Sequence, residues 1–130
     1  MNKKLKKKPS IKWLKEPEAH DYPAALSYLK LVIDSRIAST LIVELKKSKT
    51  EHFKAKDIFR ASQLSLLGIS NSHVKKNLKK IKRGEAMSPL LLVVDVKLRK
   101  IIIADGYHRL CGVYTQSEDI IVPCKIVYML

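Results

Sequence analysis

The sequence lacks any apolar run that approaches the roughly 20 residues a helix needs to cross a bilayer. Its amino-terminal lysine cluster is not followed by the apolar stretch of a secretion signal. It has only two cysteines, Cys111 and Cys124, and no histidine cluster beside them, which argues against a disulfide scaffold or a zinc site. Both cysteines lie among apolar residues, so we expect buried thiols in a cytoplasmic protein with no membrane partner.

Acidic residues are absent from the first 15 positions, which hold seven lysines. The chain has a formal charge of +14, and the part after residue 15 carries 19 basic and 12 acidic residues, or +7. Half of the excess therefore belongs to a basic tail, residues 1–15, which we predict to be disordered. Such a tail could bind nucleic acid by releasing counterions, but a solvated leader without a partner has the same composition.

Residues 16–50 are predicted to form a pair of helices. Apolar residues recur at helical spacing from Tyr22 to Ile33 and again over residues 35–47. The connection between these two segments is short, which predicts an antiparallel arrangement. The pair could cover a sheet or mediate a homodimer, and the sequence does not separate these roles.

Residues 51–130 are predicted to form an α+β core, a small mixed sheet with packed helices. Its elements in chain order are a short strand or irregular segment at 53–60, a loop at 62–72, a helix to 84, strands at 90–94 and 100–104, a helix from 107 and a strand at 120–128. The helix that follows the loop at 62–72 is predicted to begin at an N-cap, Asn71 or Ser72, and to end at Gly84. Pro123 predicts that the last strand is an edge strand or contains a bulge.

A polar turn separates a buried strand from a helix within the segment 101–113. The turn consists of Asp105, Gly106, Tyr107, His108 and Arg109. Backbone amides converge at the start of a helix, and the helix dipole favours an anion there. The spacing of Tyr107, Leu110, Cys111 and Tyr114 predicts the core-facing stripe of this helix, so His108 and Arg109 should point elsewhere.

These residue types predict a phosphate site. Gly106 has no Cβ to block the approach of a ligand to the backbone. Arg109 offers a planar set of donors to phosphate oxygens, and His108 can donate a hydrogen bond or exchange a proton near neutral pH. A purely structural alternative is open: Asp105 caps the helix, Gly106 permits the turn, and His108 and Arg109 are solvated.

Three segments resemble the core of the ParB/sulfiredoxin-like domain family. They are S-P-L-L-L-V at 88–93, I-I-I-A-D-G-Y-H-R-L-C-G-V at 101–113 and V-P-C-K-I-V at 122–127. In that family a strand with a proline entry precedes a strand that leads into Gly-Glu-Arg-Arg or Gly-Cys-His-Arg. The order of the predicted elements over residues 53–127 is similar as well. The chain resembles a stand-alone member of this family, because it has no room for a helix-turn-helix domain after the last strand.

The resemblance implies a nucleotide ligand, CTP as in ParB proteins or ATP as in sulfiredoxin, with magnesium as a possible companion. By position, Gly106, His108 and Arg109 would contact phosphate. Tyr107 stands where sulfiredoxin has its catalytic cysteine, so we do not expect reduction of sulfinic acids. Cys111, one helical turn later on the core stripe, is a poor substitute nucleophile.

Two function classes follow from these observations. In the first, the turn binds a nucleotide or another phosphorylated small molecule, either with or without hydrolysing it. His108 would then transfer a proton or polarise phosphate, Arg109 would act as the charge clamp, and Asp105 would position a metal or a water.

The second class is a non-enzymatic module that binds nucleic acid or a partner through the basic tail and the helix over residues 75–83. Its candidate contacts are Lys75, Lys76, Lys79, Lys80 and Arg83. The same lysines could instead supply positive charge near a nucleotide, or form an ordinary solvated face. Few aromatic residues lie outside the predicted helices to stack on bases, which weakens the nucleic-acid interpretation.

Overall fold

The computed structural model describes residues 10–130. In this part of the chain, five helices pack on a four-stranded mixed sheet. The elements are α1 (Asp21–Val32), α2 (Ser35–Lys47), β1 (Thr50–Lys54), α3 (Ala55–Ser62), α4 (Ser72–Lys82), β2 (Leu90–Asp95), β3 (Lys100–Asp105), α5 (Tyr107–Gln116) and β4 (Ile121–Met129). The predicted α+β class, a small mixed sheet with packed helices, is confirmed. No helix among residues 10–130 is long and apolar enough to cross a membrane.

The strand order of the sheet is β1-β4-β2-β3. β2 and β3 form the predicted antiparallel hairpin, β2 runs parallel to β4, and β1 is antiparallel to β4. The prediction that Pro123 marks an edge strand or a bulge is wrong, because β4 lies between two neighbours and its register with each of them is regular. Pro123 is opposite His52 of β1, and the ladder to β2 begins only at Cys124. The proline therefore lies where β4 has a single paired neighbour, and its missing N–H does not interrupt the ladder to β2.

Each face of the sheet is covered by helices. Leu91 and Val93 of β2 pack with α1 and α2, whereas Leu90 and Leu92 pack with α3, α4 and α5. This alternation follows from the two-residue period of a strand. The predicted helical pair is present and covers one face of the sheet.

Side-chain caps fix where α2 and α4 begin. Asp34 accepts hydrogen bonds from the amides of Arg36 and Ile37 at 2.9 and 3.2 Å. Asn71 does the same for His73 and Val74 at 2.9 and 3.2 Å. The predicted N-cap of α4 is thus Asn71, and Gly84 follows its end with a φ of +72°, as expected for a helix stop.

The prediction of a short strand or an irregular segment at residues 53–60 is wrong for most of that stretch. β1 ends at Lys54, and α3 begins at the next residue. Ala55, Ile58, Phe59 and Ser62 are buried at i, i+3, i+4 and i+7, which is a helical pattern. Eight residues are too few for that pattern to stand out in the sequence, and packing on the sheet stabilises the helix.

The predicted disordered tail, residues 1–15, includes residues that belong to the folded part of the chain. Its residues 1–9 lie outside the described part of the chain. Lys12 and Leu14 pair with Met87: the Met87 amide donates to the Lys12 carbonyl, and the Leu14 amide donates to the Met87 carbonyl, both at 2.8 Å. Trp13, between them, is half-buried against the core. The segment over residues 12–14 is therefore part of the folded unit.

Candidate functional site

The turn at residues 105–109 lies at the end of the edge strand β3. Leu91 is opposite Asp105 and Leu92 is opposite Ile103, so the register shifts by one residue just before the turn. A bulge of this kind re-aims the side chains that follow it. It places Asp105 beside the amino-terminal end of α5, which begins at Tyr107.

Gly106 is the N-cap of α5 and has a φ of +106°. A Cβ at this position would lie 2.8 Å from Cγ of Leu90 and 2.7 Å from Nη1 of Arg109. Only glycine fits both the backbone conformation and the space. The first amides of α5 have no acceptor within the helix, which leaves the positive end of its dipole at this turn.

The predicted core stripe of α5 is confirmed. Leu110 and Cys111 are fully buried, and Tyr107 and Tyr114 pack partly against the same core. Both tyrosine rings meet the edge of Phe59, with centroids 6.5 and 5.0 Å away. The Tyr107 hydroxyl donates to the Ser65 carbonyl and so ties the loop over residues 63–71 to α5.

Both cysteines are free and buried, as predicted. Burial raises the pKa of the Cys111 thiol and raises that of Cys124 to about 12. A buried thiol with a raised pKa holds its proton at neutral pH and is a poor nucleophile. Cysteine chemistry at this site is therefore disfavoured.

Close packing of α4 on α5 brings two histidines together. A Cβ added to Gly112 of α5 would lie 3.2 Å from Cβ of Asn77 on α4, so a larger residue would require Asn77 to shift by a few tenths of an ångström. One end of this contact holds His73 and His108, whose ring centroids are 4.7 Å apart at an interplanar angle of 36°. Burial, followed by the charge of His73, lowers the pKa of His108. His108 is thus a neutral imidazole at pH 7.

A polar cavity of about 240 Å³ lies between α4 and the turn. It is lined by His73, Lys76, Asn77, Lys80, Asp105, Gly106, Tyr107, His108 and Arg109. Lys76 and Lys80, predicted as nucleic-acid contacts, therefore join the predicted phosphate residues in one site. Lys75 and Lys79 lie elsewhere on α4 and Arg83 follows its last residue, all three exposed to solvent.

An apolar cavity of about 440 Å³ adjoins the polar one. The two share the wall formed by residues 105–108. The remaining walls of the apolar cavity come from α1, β3 and the loop after α3, namely Ala24, Tyr28, Leu64, Ile103 and Ala104. The turn thus separates a cationic compartment from an apolar one.

The guanidinium of Arg109 is held by carboxylates. Its Nη2 lies 3.6 Å from Oδ2 of Asp105 and 3.9 Å from Oδ1 of Asp21, and its side chain is only 16% exposed. Asp105 does not cap α5, whose N-cap residue Gly106 makes no side-chain cap hydrogen bond. The purely structural alternative is therefore wrong for Asp105 as a cap and for Arg109 as a solvated residue.

Asp21 is the site residue that the sequence did not reveal. It lies in the first turn of α1, is 3% exposed, and accepts hydrogen bonds from the Ser88 hydroxyl and from the Glu18 amide, the latter at 3.0 Å. Nε2 of His20 lies 3.4 Å from Asp21 Oδ1. An acidic residue ahead of a proline is typical of a helix start, and only the tertiary structure shows that it faces Arg109.

Burial raises the pKa of Asp105 to about 6, an effect that Arg109 opposes and Asp21 reinforces. The folded protein then binds more protons than the unfolded chain between the ordinary pKa, 3.8, and about 6. The contribution of Asp105 to the free energy of unfolding therefore increases as pH falls through that window and decreases as pH rises.

We expect Asp105→Asn to remove this pH dependence. At about pH 7.5 the variant should be at least as stable as the wild type, because the amide avoids the cost of a buried charge. Urea unfolding at several pH values measures the difference between the two proteins. A difference that does not change between about pH 4.5 and about pH 7 would show that Asp105 ionises normally.

Metal ligands are not clustered in the described residues. No group of three or more histidine, cysteine, aspartate or glutamate side chains in residues 10–130 is arranged to hold an ion. Asp105, predicted to position a metal or a water, lines the polar cavity and faces Arg109 and Asp21; that role stays a prediction.

The site thus consists of a cationic cavity, an adjoining apolar cavity and a buried arginine held by two acids. The resemblance to the ParB/sulfiredoxin-like family rests on segments that form β2, the β3–α5 turn and β4. Membership of that family stays a prediction. No protein-family model, curated protein or solved structure was found to match this chain.

Proposed function

We propose that this chain binds a phosphorylated small molecule, a nucleotide such as CTP or ATP, in the cavity between α4 and the β3–α5 turn. One observation carries the proposal: Lys76, Lys80 and the amino-terminal end of α5 converge on a single polar cavity. Two ammonium groups and a helix dipole together favour a multiply charged anion.

The histidines extend this binding surface. His108 is held against His73 at the wall of the cavity, and its lowered pKa leaves one ring nitrogen free to accept a proton. A neutral imidazole can donate one hydrogen bond to a phosphate oxygen or accept a proton from an attacking water. If the ligand is hydrolysed, His108 is the residue placed to do this.

The adjoining apolar cavity supports a nucleotide over inorganic phosphate. A nucleotide joins charged phosphates to a base with flat aromatic faces, and the two cavities offer a cationic and an apolar surface on either side of the turn. Tyr28 and Leu64 provide apolar surface for the base. Magnesium would enter on the phosphate oxygens, because it binds through substrate phosphates as well as carboxylates.

The cavity lysines and the outer lysines of α4 form a matched test. We expect Lys76→Ala/Lys80→Ala to weaken binding of CTP or ATP by about tenfold or more. Each charge-assisted contact contributes at least about 1 kcal/mol to the binding free energy. Lys75→Ala/Lys79→Ala removes the same charge from the same helix outside the cavity. Its effect should stay within about twofold at physiological salt.

Isothermal titration calorimetry with and without magnesium measures these affinities. Absence of binding of both nucleotides to the wild type would refute the proposal. Equal losses in the two double variants would show that the general charge of α4, and not the cavity, attracts the ligand.

A second function, nucleic-acid binding, is favoured by the residues of α4 that the cavity does not use. Lys75, Lys79 and Lys82 of α4 are exposed, and so is Arg83 at its C-cap. This alternative predicts DNA or RNA binding that weakens steeply with salt and is reduced by Lys75→Ala/Lys79→Ala. Removal of the basic segment before residue 10 should weaken it further, and a fluorescence anisotropy titration across salt concentrations measures both effects.

A further inference from the structure

Arg109 is shared by two carboxylates from different parts of the fold. Asp105 ends β3, and Asp21 begins α1 on the opposite side of the turn. The side chains of all three are at most 20% exposed. One largely buried cation therefore lies between buried Asp21 and largely buried Asp105, at the wall of a cavity that is also lined by Lys76 and Lys80.

The contacts within this cluster are incomplete. The separations of 3.6 and 3.9 Å are those of ion pairs and are too long for good hydrogen bonds. Nη1 of Arg109 and Oδ2 of Asp105 are buried and have no hydrogen-bond partner among the described residues. Buried polar atoms are nearly always paired, so these atoms indicate a second arrangement in which Arg109 has a better acceptor.

We propose that Asp21 and Asp105 hold Arg109 back from the polar cavity, and that an anion bound there draws Arg109 toward itself while Asp105 takes up a proton. The inference rests on the proposed function, since it requires an anion in that cavity. Asp21 is then a positioning residue, which acts through Arg109 without touching the ligand. The helical pair thereby contributes to the site as well as covering the sheet.

The direction of the proton transfer follows from the charges. Arg109 lowers the pKa of Asp105, while burial and Asp21 raise it. Withdrawal of Arg109 removes the lowering influence, and a bound anion adds negative charge nearby, so the pKa of Asp105 rises on binding. The complex then holds a proton, taken from solvent onto the Asp105 carboxylate, that the free protein lacks above about pH 6. Affinity for the anion must increase as pH falls.

Other charged groups face Asp105 from the surrounding elements. They are Asp21 and His20 at the start of α1, Arg109 and His108 on α5, and His73, Lys76 and Lys80 on α4. Of these groups, His108 has a pKa lowered by burial, and its protonation at low pH would also favour an anion. The experiment must therefore separate Asp105 from His108.

Sulfate is the probe, because it keeps its double charge over the relevant pH range and contributes no titration of its own. Affinities are measured by calorimetry for wild type, Asp105→Asn and His108→Gln at about pH 5.5 and about pH 7.5. We expect Asp105→Asn to bind sulfate about tenfold more tightly than wild type at the higher pH. At the lower pH the sulfate affinities of the two proteins should become similar. His108→Gln should keep the part of the pH dependence of sulfate affinity that comes from Asp105.

Repeating the titrations in buffers of different ionisation enthalpy counts the protons taken up. Wild type should take up a proton on binding above about pH 6, and Asp105→Asn should take up fewer. Asp21→Asn, checked for folding by thermal denaturation, should also bind sulfate more tightly at about pH 7.5, because Arg109 loses one of its two acids.

The outcomes separate the two proposals. If no protein binds sulfate or nucleotide, the proposed function fails and this inference fails with it. If all bind, but Asp105→Asn and wild type share one affinity and one proton count at every pH, only the linkage to Asp105 is overturned. If Asp21→Asn folds and binds as wild type does, Asp21 has no positioning role.

Discussion

Replacement of Gly106 by alanine is expected to lower the free energy of unfolding by about 3 kcal/mol. A non-glycine residue at positive φ costs about 1 to 2 kcal/mol, and forcing a methyl group into a packed site costs about 1 to 3 kcal/mol. Both costs apply here, because φ is +106° and the new methyl group would lie 2.8 Å from Cγ of buried Leu90. The variant should also displace Arg109, whose Nη1 lies 2.7 Å from the same point.

Gly68→Ala is the matched control. A methyl group at Gly68 would meet none of the described atoms within 4 Å, and its φ is not in the left-handed range. Its effect should be within about 0.5 kcal/mol. Chemical denaturation of both variants measures the difference, and equal stability of the two would mean that the turn is not built as described.

The local elements of this fold were largely readable from the sequence. The hairpin of β2 and β3, the helix cap at Asn71 and the buried stripe of α5 each depend on residues close together in the chain. Short-range spacing and capping chemistry suffice for such features. The turn at residues 105–109 was identified for the same reason.

Features that depend on distant residues were not readable. The interior position of β4 is set by pairing with β1 and β2, and Pro123 misleads because it precedes the second ladder. Asp21 is separated from Arg109 by most of the chain, and nothing local marks a first-turn aspartate as buried. The convergence of Lys76 with the turn likewise requires the packing of α4 on α5 at Gly112.

These long-range contacts change how Arg109 must be tested. An exposed arginine could be removed to ask whether it binds phosphate, with little effect on folding. The observed guanidinium instead compensates two buried acids, so its removal leaves them facing each other without a cation. A loss of ligand binding in an Arg109 variant would therefore mix lost contacts with lost structure, which is why the lysine pairs are the better functional test.

Arg109→Met is expected to destabilise the protein by about 3 kcal/mol at about pH 7.5, because breaking a buried ion cluster strands uncompensated charge. The loss should shrink as pH falls, since the unpaired carboxylate of Asp105, whose pKa burial already raises to about 6, can take up a proton. Arg36→Met, at an exposed position on α2, is the control and should change stability by less than about 0.5 kcal/mol.

The double variant Arg109→Met/Asp105→Asn decides whether the loss comes from stranded charge or from lost packing. If charge dominates, neutralising Asp105 should recover about half of the loss at about pH 7.5 and little of it at about pH 5, where the carboxyl is already protonated. A cycle of urea unfolding curves on the wild type, both single variants and the double variant measures this coupling. Additive effects at both pH values would mean that Arg109 stabilises the turn through side-chain packing and not through its charge.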